Sequence, residues 1–240
     1  MKTLQLQRRE GVTIVTMNHE RENRLHPDLM SELMETLDSL EADKETKALV
    51  FTGGDPKFFS NGLDLGWIMA HAADPRAILG YLQQVNTLFH RVTLFPKPVV
   101  AALNGHTFAA GVFLAAHMDF RFMREDRGWV CMPEVDINIP LLPGMIAIMQ
   151  ATMSPQGFRE MYYSGRRFTG PEIMATGWVD RVYPQEELLP AAVAFAAELG
   201  KKRGPTYAEM KRRVRADIAH LLLEEDPKLF LSTLSLAMPG

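Results

Sequence analysis

Residues 104–120 read NGHTFAAGVFLAAHMDF. A turn of small residues follows the apolar segment PKPVVAAL (96–103) and runs directly into Val112, Phe113 and Leu114. Small residues at a strand-to-helix turn let another backbone, or a ligand, come very close. The turn itself carries no acid and no nucleophile. A buried strand that leaves through such a turn into a helix is a unit of α/β architecture, and the flanking sequence repeats the alternation.

On the N-terminal side, TLQLQRREGVTIVTMN alternates apolar and polar residues on either side of Glu10-Gly11 and predicts a hairpin. Leu29, Met30, Leu33, Met34, Leu37 and Leu40 fall at helical spacing after Pro27. ALVFTGG (48–54) predicts a short buried strand and residues 75–94 a long helix with Ile78, Leu82, Val85, Leu88, Phe89 and Val92 inward. On the C-terminal side, DFRFM (119–123), GWVCM (128–132) and WVDRVYP (178–184) read as strands, with helices over 143–153, 155–164 and 171–176. Residues 185 to about 235 read as helical. The division expected is a strand-bearing core over 1–184 and a helical region over 185–240, with no low-complexity linker and no clean sequence repeat.

Composition narrows the function classes. With 47 % hydrophobic and 23 % charged residues over 240 positions, the chain is long enough for a sizeable core. A formal charge of -3 gives no reason to expect a nucleic-acid partner. The single cysteine, Cys131, excludes an intramolecular disulfide and fits a reducing compartment. The N-terminus lacks the apolar run of a signal peptide, the longest apolar runs fall short of a membrane span, and the ending LAMPG is not a peroxisomal signal. The expected location is the cytoplasm.

Three segments carry candidate chemistry. PKFFSNGLDL (56–65) places Asn61-Gly62 in a tight turn before a helix start, as NGHTFAAG (104–111) does after a strand. N–H groups in a helix's first turn lack intrahelical acceptors. Two such turns facing one another form an oxyanion hole for a polarised carbonyl; either one alone is ordinary loop geometry. The third segment, CMPEVDINIPLLPG (131–144), sets Glu134 among Met132, Pro133, Val135 and Ile137. Apolar surroundings raise a carboxyl pKa toward the range useful for proton transfer. A lone glutamate beside a loop proline is otherwise a surface residue. Asp136, two residues on, would share a face with Glu134 if the segment were a strand and so act as a second acid, although a solvated loop aspartate is the simpler reading.

Other chemistries find no support. The seven histidines form no paired ligand motif, so no metal site is expected. Ser60 lacks a nucleophile elbow, His106 reads as a packed loop residue, and Cys131 as strand core. The glycines form neither a dinucleotide fingerprint nor a phosphate loop. The basic stretch KKRGPTYAEMKRRVR (201–215) reads as a solvated helix face, with a phosphate partner as the alternative.

Taken in order, KFFSNGLDL, PKPVVAALNGHTFAAGVFLAAHMDFRF, MPEVDINIPLLPG and RRFTGPEIMATGWVDRVYP resemble the enoyl-CoA hydratase/isomerase (crotonase) superfamily across most of residues 45–184. Within it, SNGLD and GHTFAAG are most similar to the plant-type Δ3,Δ2-enoyl-CoA isomerases. The resemblance implies a spiral of ββα units with a helical C-terminal region that packs in trimers, often paired into hexamers. It implies an acyl-CoA thioester as ligand, with CoA entering as part of the substrate and no further cofactor. By position it assigns the oxyanion donors to the backbone N–H groups of Leu63 and Ala110, with Asn61 and Gly62 forming the first turn. Glu134 matches the second of the two glutamates that hold water in hydratases.

Two departures separate this chain from hydratases of that family. Their first glutamate falls at Phe113, which can neither hold water nor move a proton. Their lysine after the first turn falls at Gly66, leaving Arg24 and the 201–215 cations as candidate CoA contacts. One carboxylate in an apolar, water-excluding wall suits moving a double bond from C3 to C2 by proton transfer. The expected activity is therefore 3-enoyl-CoA isomerisation. Another acyl-CoA reaction on the scaffold (hydration, thioester hydrolysis, decarboxylation) and a silent acyl-CoA-binding protein are the alternatives. Met30, Met34, Trp67, Ile68 and Met69 are candidates for an acyl pocket, though such a stripe is more often core.

Overall fold

The computed structural model describes residues 3–237. The chain opens with the hairpin β1 (Leu4–Arg9) and β2 (Val12–Met17), turned at Glu10 and Gly11, both at positive φ. Helix α1 (Pro27–Ala42) buries Leu29, Met30, Leu33, Leu37 and Leu40. There follow β3 (Ala48–Gly53), β4 (Phe58–Ser60), α2 (Leu65–Ala70) and α3 (Pro75–Thr93). The next unit is β5 (Val99–Leu103), β6 (His106–Phe108) and α4 (Ala110–Ala116). A third runs through β7 (Phe120–Arg124), β8 (Val130–Cys131), α5 (Pro143–Thr152), α6 (Pro155–Ser164) and α7 (Gly170–Ala175). Strand β9 (Arg181–Tyr183) precedes α8 (Gln185–Gly200), α9 (Gly204–Val214), α10 (Ala216–His220) and α11 (Asp226–Ala237).

The strands form two sheets. Six make the large sheet in the order β1-β2-β3-β5-β7-β9, parallel except for the β1–β2 hairpin. The small sheet is β4-β6-β8, parallel throughout. Each pair of consecutive strands from β3 to β8 thus gives one strand to each sheet before the chain turns helical. That is a ββα repeat in space without a repeat in sequence. Strands β4 and β6 are three residues long, too short for alternation to show, whereas β8 falls within the strand expected over 128–132.

The main core lies between the large sheet and α1, α3, α4 and α5, around Phe51, Phe59, Phe89 and Phe113. Leu188, Ala192, Val193 and Ala196 of α8 cover the opposite face, against Val12, Ile14, Val50 and Phe122. A buried carboxylate joins the C-terminal helices to the core. Asp226 accepts from the Gly144 N–H at 2.8 Å and from Asn86 Nδ2 at 3.0 Å, tying α11 to α5 and α3. Among the described residues, no helix is long and apolar enough to cross a membrane.

Candidate active site

The C-terminal ends of β4 and β6 lie side by side, and each delivers one of the two tight turns. After β4, Gly62 has a φ of +87° and its carbonyl accepts from the Leu25 N–H at 2.8 Å. In a trans peptide the N–H points opposite the C=O, so tying down the Gly62 carbonyl aims the Leu63 N–H the other way. After β6, the Ala109 carbonyl accepts from the Val112 N–H at 2.8 Å, which aims the Ala110 N–H in the same manner. Among the described residues, neither the Leu63 nor the Ala110 N–H has an acceptor.

The turns are in contact. A Cβ on Gly62 would sit 2.9 Å from both the Ala109 Cβ and the Phe108 carbonyl oxygen, and 3.1 Å from the Ala110 nitrogen. Ala109 is held at φ +50°, ψ -124°, a conformation that favours glycine. The residue of special geometry is therefore Ala109, one position before the candidate donor. Ala110 begins α4 as an ordinary helical residue. This strain fixes the plane of the Ala109–Ala110 peptide and with it the direction of the second N–H.

A clamp holds the first turn. Asn61 receives two contacts with Glu22: its backbone N–H donates to the Glu22 carbonyl at 2.9 Å and its Nδ2 to the Glu22 carboxylate at 2.9 Å. Behind the turn, the buried Tyr81 hydroxyl donates to the Leu25 carbonyl at 2.8 Å and accepts from the Asp64 N–H at 2.9 Å. Burial raises its pKa, so it remains a neutral donor. Sequence reading missed Tyr81; the available signal was a hydroxyl three residues after Ile78 on the inward stripe of a helix. Tyr81→Phe leaves a buried carbonyl and a buried N–H without partners. It is expected to cost about 1–3 kcal/mol in chemical denaturation while leaving the helix content by circular dichroism unchanged.

Glu134 faces these turns from a single 3-10 turn, Pro133–Val135, that follows β8. The Glu134 carbonyl accepts from the Ile139 N–H at 3.0 Å, which locks the loop beneath it. Glu134 is 7 % exposed, and its Oε2 has no hydrogen-bond partner. Desolvation pushes its pKa up to about 7, partly offset by a hydrogen bond from its own backbone N–H. Glu134 and Asp136 do not share a strand face. The proline starts a turn instead, and Asp136 ends it exposed, away from the Glu134 cavity.

Asn61, Leu63, Ala110, Phe113 and Glu134 line one cavity of about 260 Å³. Phe113 is 1 % exposed and contributes to the wall beside Glu134. A second apolar cavity of about 300 Å³ shares Leu63, Leu65 and Met145 with the first and extends between Ile68, Met69 and Phe230. Of the five residues proposed for an acyl pocket, Ile68 and Met69 line it, whereas Met30 is fully buried core and Met34 and Trp67 pack against that core. Arg24 flanks the first turn without lining the cavity, paired with Glu22 at 2.5 Å. The 201–215 cations are largely engaged elsewhere. Lys211 pairs with Asp119 at 2.7 Å, Arg212 and Arg213 with Glu209, and Arg215 with Asp119 at 3.4 Å. Lys211 is also buried, so the stretch is not wholly a solvated face. Among the described residues, no cluster of three or more His, Cys, Asp or Glu has a metal-binding arrangement.

Comparison with known proteins agrees with this architecture. The family model for enoyl-CoA hydratase/isomerase matches residues 7–233. Enoyl-CoA delta isomerase 3 of Arabidopsis thaliana is 32 % identical over 225 residues, covering 90 % of this chain and 94 % of that protein. A putative enoyl-CoA hydratase of Thermus thermophilus is 31 % identical, covering 91 % and 85 %. Human mitochondrial delta3-delta2-enoyl-CoA isomerase superposes with a TM-score of 0.91 over 98 % of this chain and 92 % of that one, at 23 % identity. With its two-sheet ββα core, paired tight turns and family match over nearly its full length, the chain belongs to the enoyl-CoA hydratase/isomerase family.

Proposed function

We propose that the protein is a 3-enoyl-CoA isomerase that moves the double bond to the 2-position with Glu134 as its only acid–base group. The observation that carries this reading is the cavity wall: among the described residues Glu134 is the one carboxylate lining it, with Phe113 in the same wall. Phe113 is the position to which the resemblance assigns the other glutamate of a hydratase. The thioester carbonyl accepts from the Leu63 and Ala110 N–H groups. Glu134 as carboxylate removes a C2 proton, the electron pair passes into a dienolate whose oxygen the two N–H groups stabilise, and Glu134 returns a proton at C4. The Phe113 ring and its apolar neighbours keep water from the double bond, so protonation at C4 competes with no addition.

The cavity between α2, α5 and α11 supplies an apolar channel for the acyl tail, and Asn61 and Gly62 set the first turn. Arg24, beside the first turn, remains the candidate contact for a CoA phosphate, while most of the 201–215 cations are paired within the protein. The plant relatives named as enoyl-CoA delta isomerases support the isomerase assignment. Assembly as a homotrimer, or a dimer of trimers, belongs to the same proposal. The exposed Met210, Val214 and Leu231 on the helical C-terminal region support it. The direct test is incubation with cis- or trans-3-hexenoyl-CoA while following the absorbance of the conjugated 2-enoyl thioester. Steady growth of that signal is expected, and its absence from a preparation that binds acyl-CoA would overturn the assignment.

A further inference from the structure

Glu134 borders two cavities. One is the cavity that also contains Leu63, Ala110 and Phe113; the other, of about 390 Å³, lies on its far side between the Pro133–Val135 turn and the end of α6. This outer cavity is lined by Val135, Asn138, Tyr162 and Tyr163 together with Glu134, and opens to solvent past Tyr163, which is 70 % exposed. Asn138 stands at φ +56° in the loop beneath Glu134, and its side chain has no hydrogen-bond partner among the described residues. Glu134 Oε2 is buried and unpaired. Buried polar groups ordinarily find a partner, and a recess of this size that opens to solvent and carries an amide and two phenols admits water. The inner cavity's free N–H groups are taken by the thioester when substrate is bound; the outer one keeps its amide and both phenols to hold a water.

We propose that the outer cavity is a solvent port for the catalytic carboxyl, through which the proton taken from C2 exchanges with water before a proton is delivered to C4. The inference rests on the isomerase reading above. The steps balance: the C2–H proton converts the Glu134 carboxylate to the acid, and a water in the outer cavity exchanges one proton with that acid. The acid then protonates C4 and returns to carboxylate. Water therefore contributes a hydrogen to the product without adding across the double bond, because Glu134 itself separates the port from the acyl chain.

The test follows 2,2-dideuterated 3-hexenoyl-CoA in ordinary water, with product taken at low conversion and deuterium at C4 read by mass spectrometry and NMR. Wild-type enzyme is expected to lose most of the transferred deuterium. Val135→Trp, which fills the outer cavity from a residue absent from the inner wall, is expected to retain clearly more at C4. Nearly complete retention in the wild type would overturn the port. Equal loss in Val135→Trp, with turnover preserved and the cavity shown filled, would place the exchange on the substrate side and overturn it as well. If neither protein converts the substrate, the isomerase reading itself fails, an outcome distinct from conversion with full retention.

Discussion

Glu134→Gln is expected to lower kcat/KM for 3-enoyl-CoA isomerisation by about 10³-fold or more, because it removes the proposed proton carrier and leaves the two N–H groups in place. The same substitution is expected to make the folded protein more stable at pH 8. Burial raises the Glu134 pKa from 4.5 to about 7, so the native state holds this proton more tightly than the unfolded chain. For a raised carboxyl, stability falls as pH rises from the unfolded value to the folded one, then stays at the lower level. The cost above pH 7 is on the order of 3 kcal/mol. Glutamine carries no charge to desolvate but keeps a polar amide in the same place, so a gain of about 2 kcal/mol is expected at pH 8, vanishing near pH 4. Denaturant titrations of both proteins at the two pH values measure it. Wild-type kcat/KM should rise with pH through about 7, as the active carboxylate forms. A variant that is less stable than wild type at pH 8, or a rate that falls through pH 7, contradicts the role given to Glu134.

Gly62→Ala is expected to damage stability and activity together through a single methyl group. Its φ of +87° disfavours any side chain, and the new Cβ would lie 2.9 Å from the Ala109 Cβ and 3.1 Å from the Ala110 nitrogen. Relief requires the two turns to separate, which misdirects the Leu63 and Ala110 N–H groups together. Strain and overpacking predict a loss of about 2–4 kcal/mol in stability. Loss of oxyanion alignment predicts about 10²–10³-fold in kcat for the fraction that folds. Gly80→Ala is the matched control, since nothing lies within 4 Å of its Cβ in the middle of α3. It is expected to raise stability by about 0.5–1 kcal/mol with unchanged activity. Thermal melts and kcat measured together on the two variants separate a local effect at the turns from a general intolerance of larger side chains.

The large sheet and the long helices were legible because their apolar periodicity persists over five or more residues. β3, β5, α1 and α3 fall where spacing alone places them. The small sheet was legible only at β8, since β4 and β6 owe their extended form to pairing with one another across about 45 residues of other structure. At the site, the glycine and alanine turns pointed to close approach, and the order of motifs pointed to Leu63, Ala110 and Glu134. What no local pattern encodes is the support behind them. Tyr81 and Glu22 act on the first turn through tertiary hydrogen bonds, and Ala109 carries strain that only the β6–α4 geometry reveals. The strand expected over 128–132 ends at Cys131, and a turn starts at Pro133 because proline removes the ladder donor.

The claim that Phe113 in place of a second carboxylate selects isomerisation over hydration is tested most directly by one ratio. On a single preparation, kcat/KM is measured for conversion of trans-3-hexenoyl-CoA to the 2-enoyl thioester and for addition of water to the 2-enoyl thioester itself. Isomerisation exceeding hydration by about 10²-fold or more is expected, the loss typical of a missing acid–base group. Brisk hydration with little or no isomerisation would contradict the account.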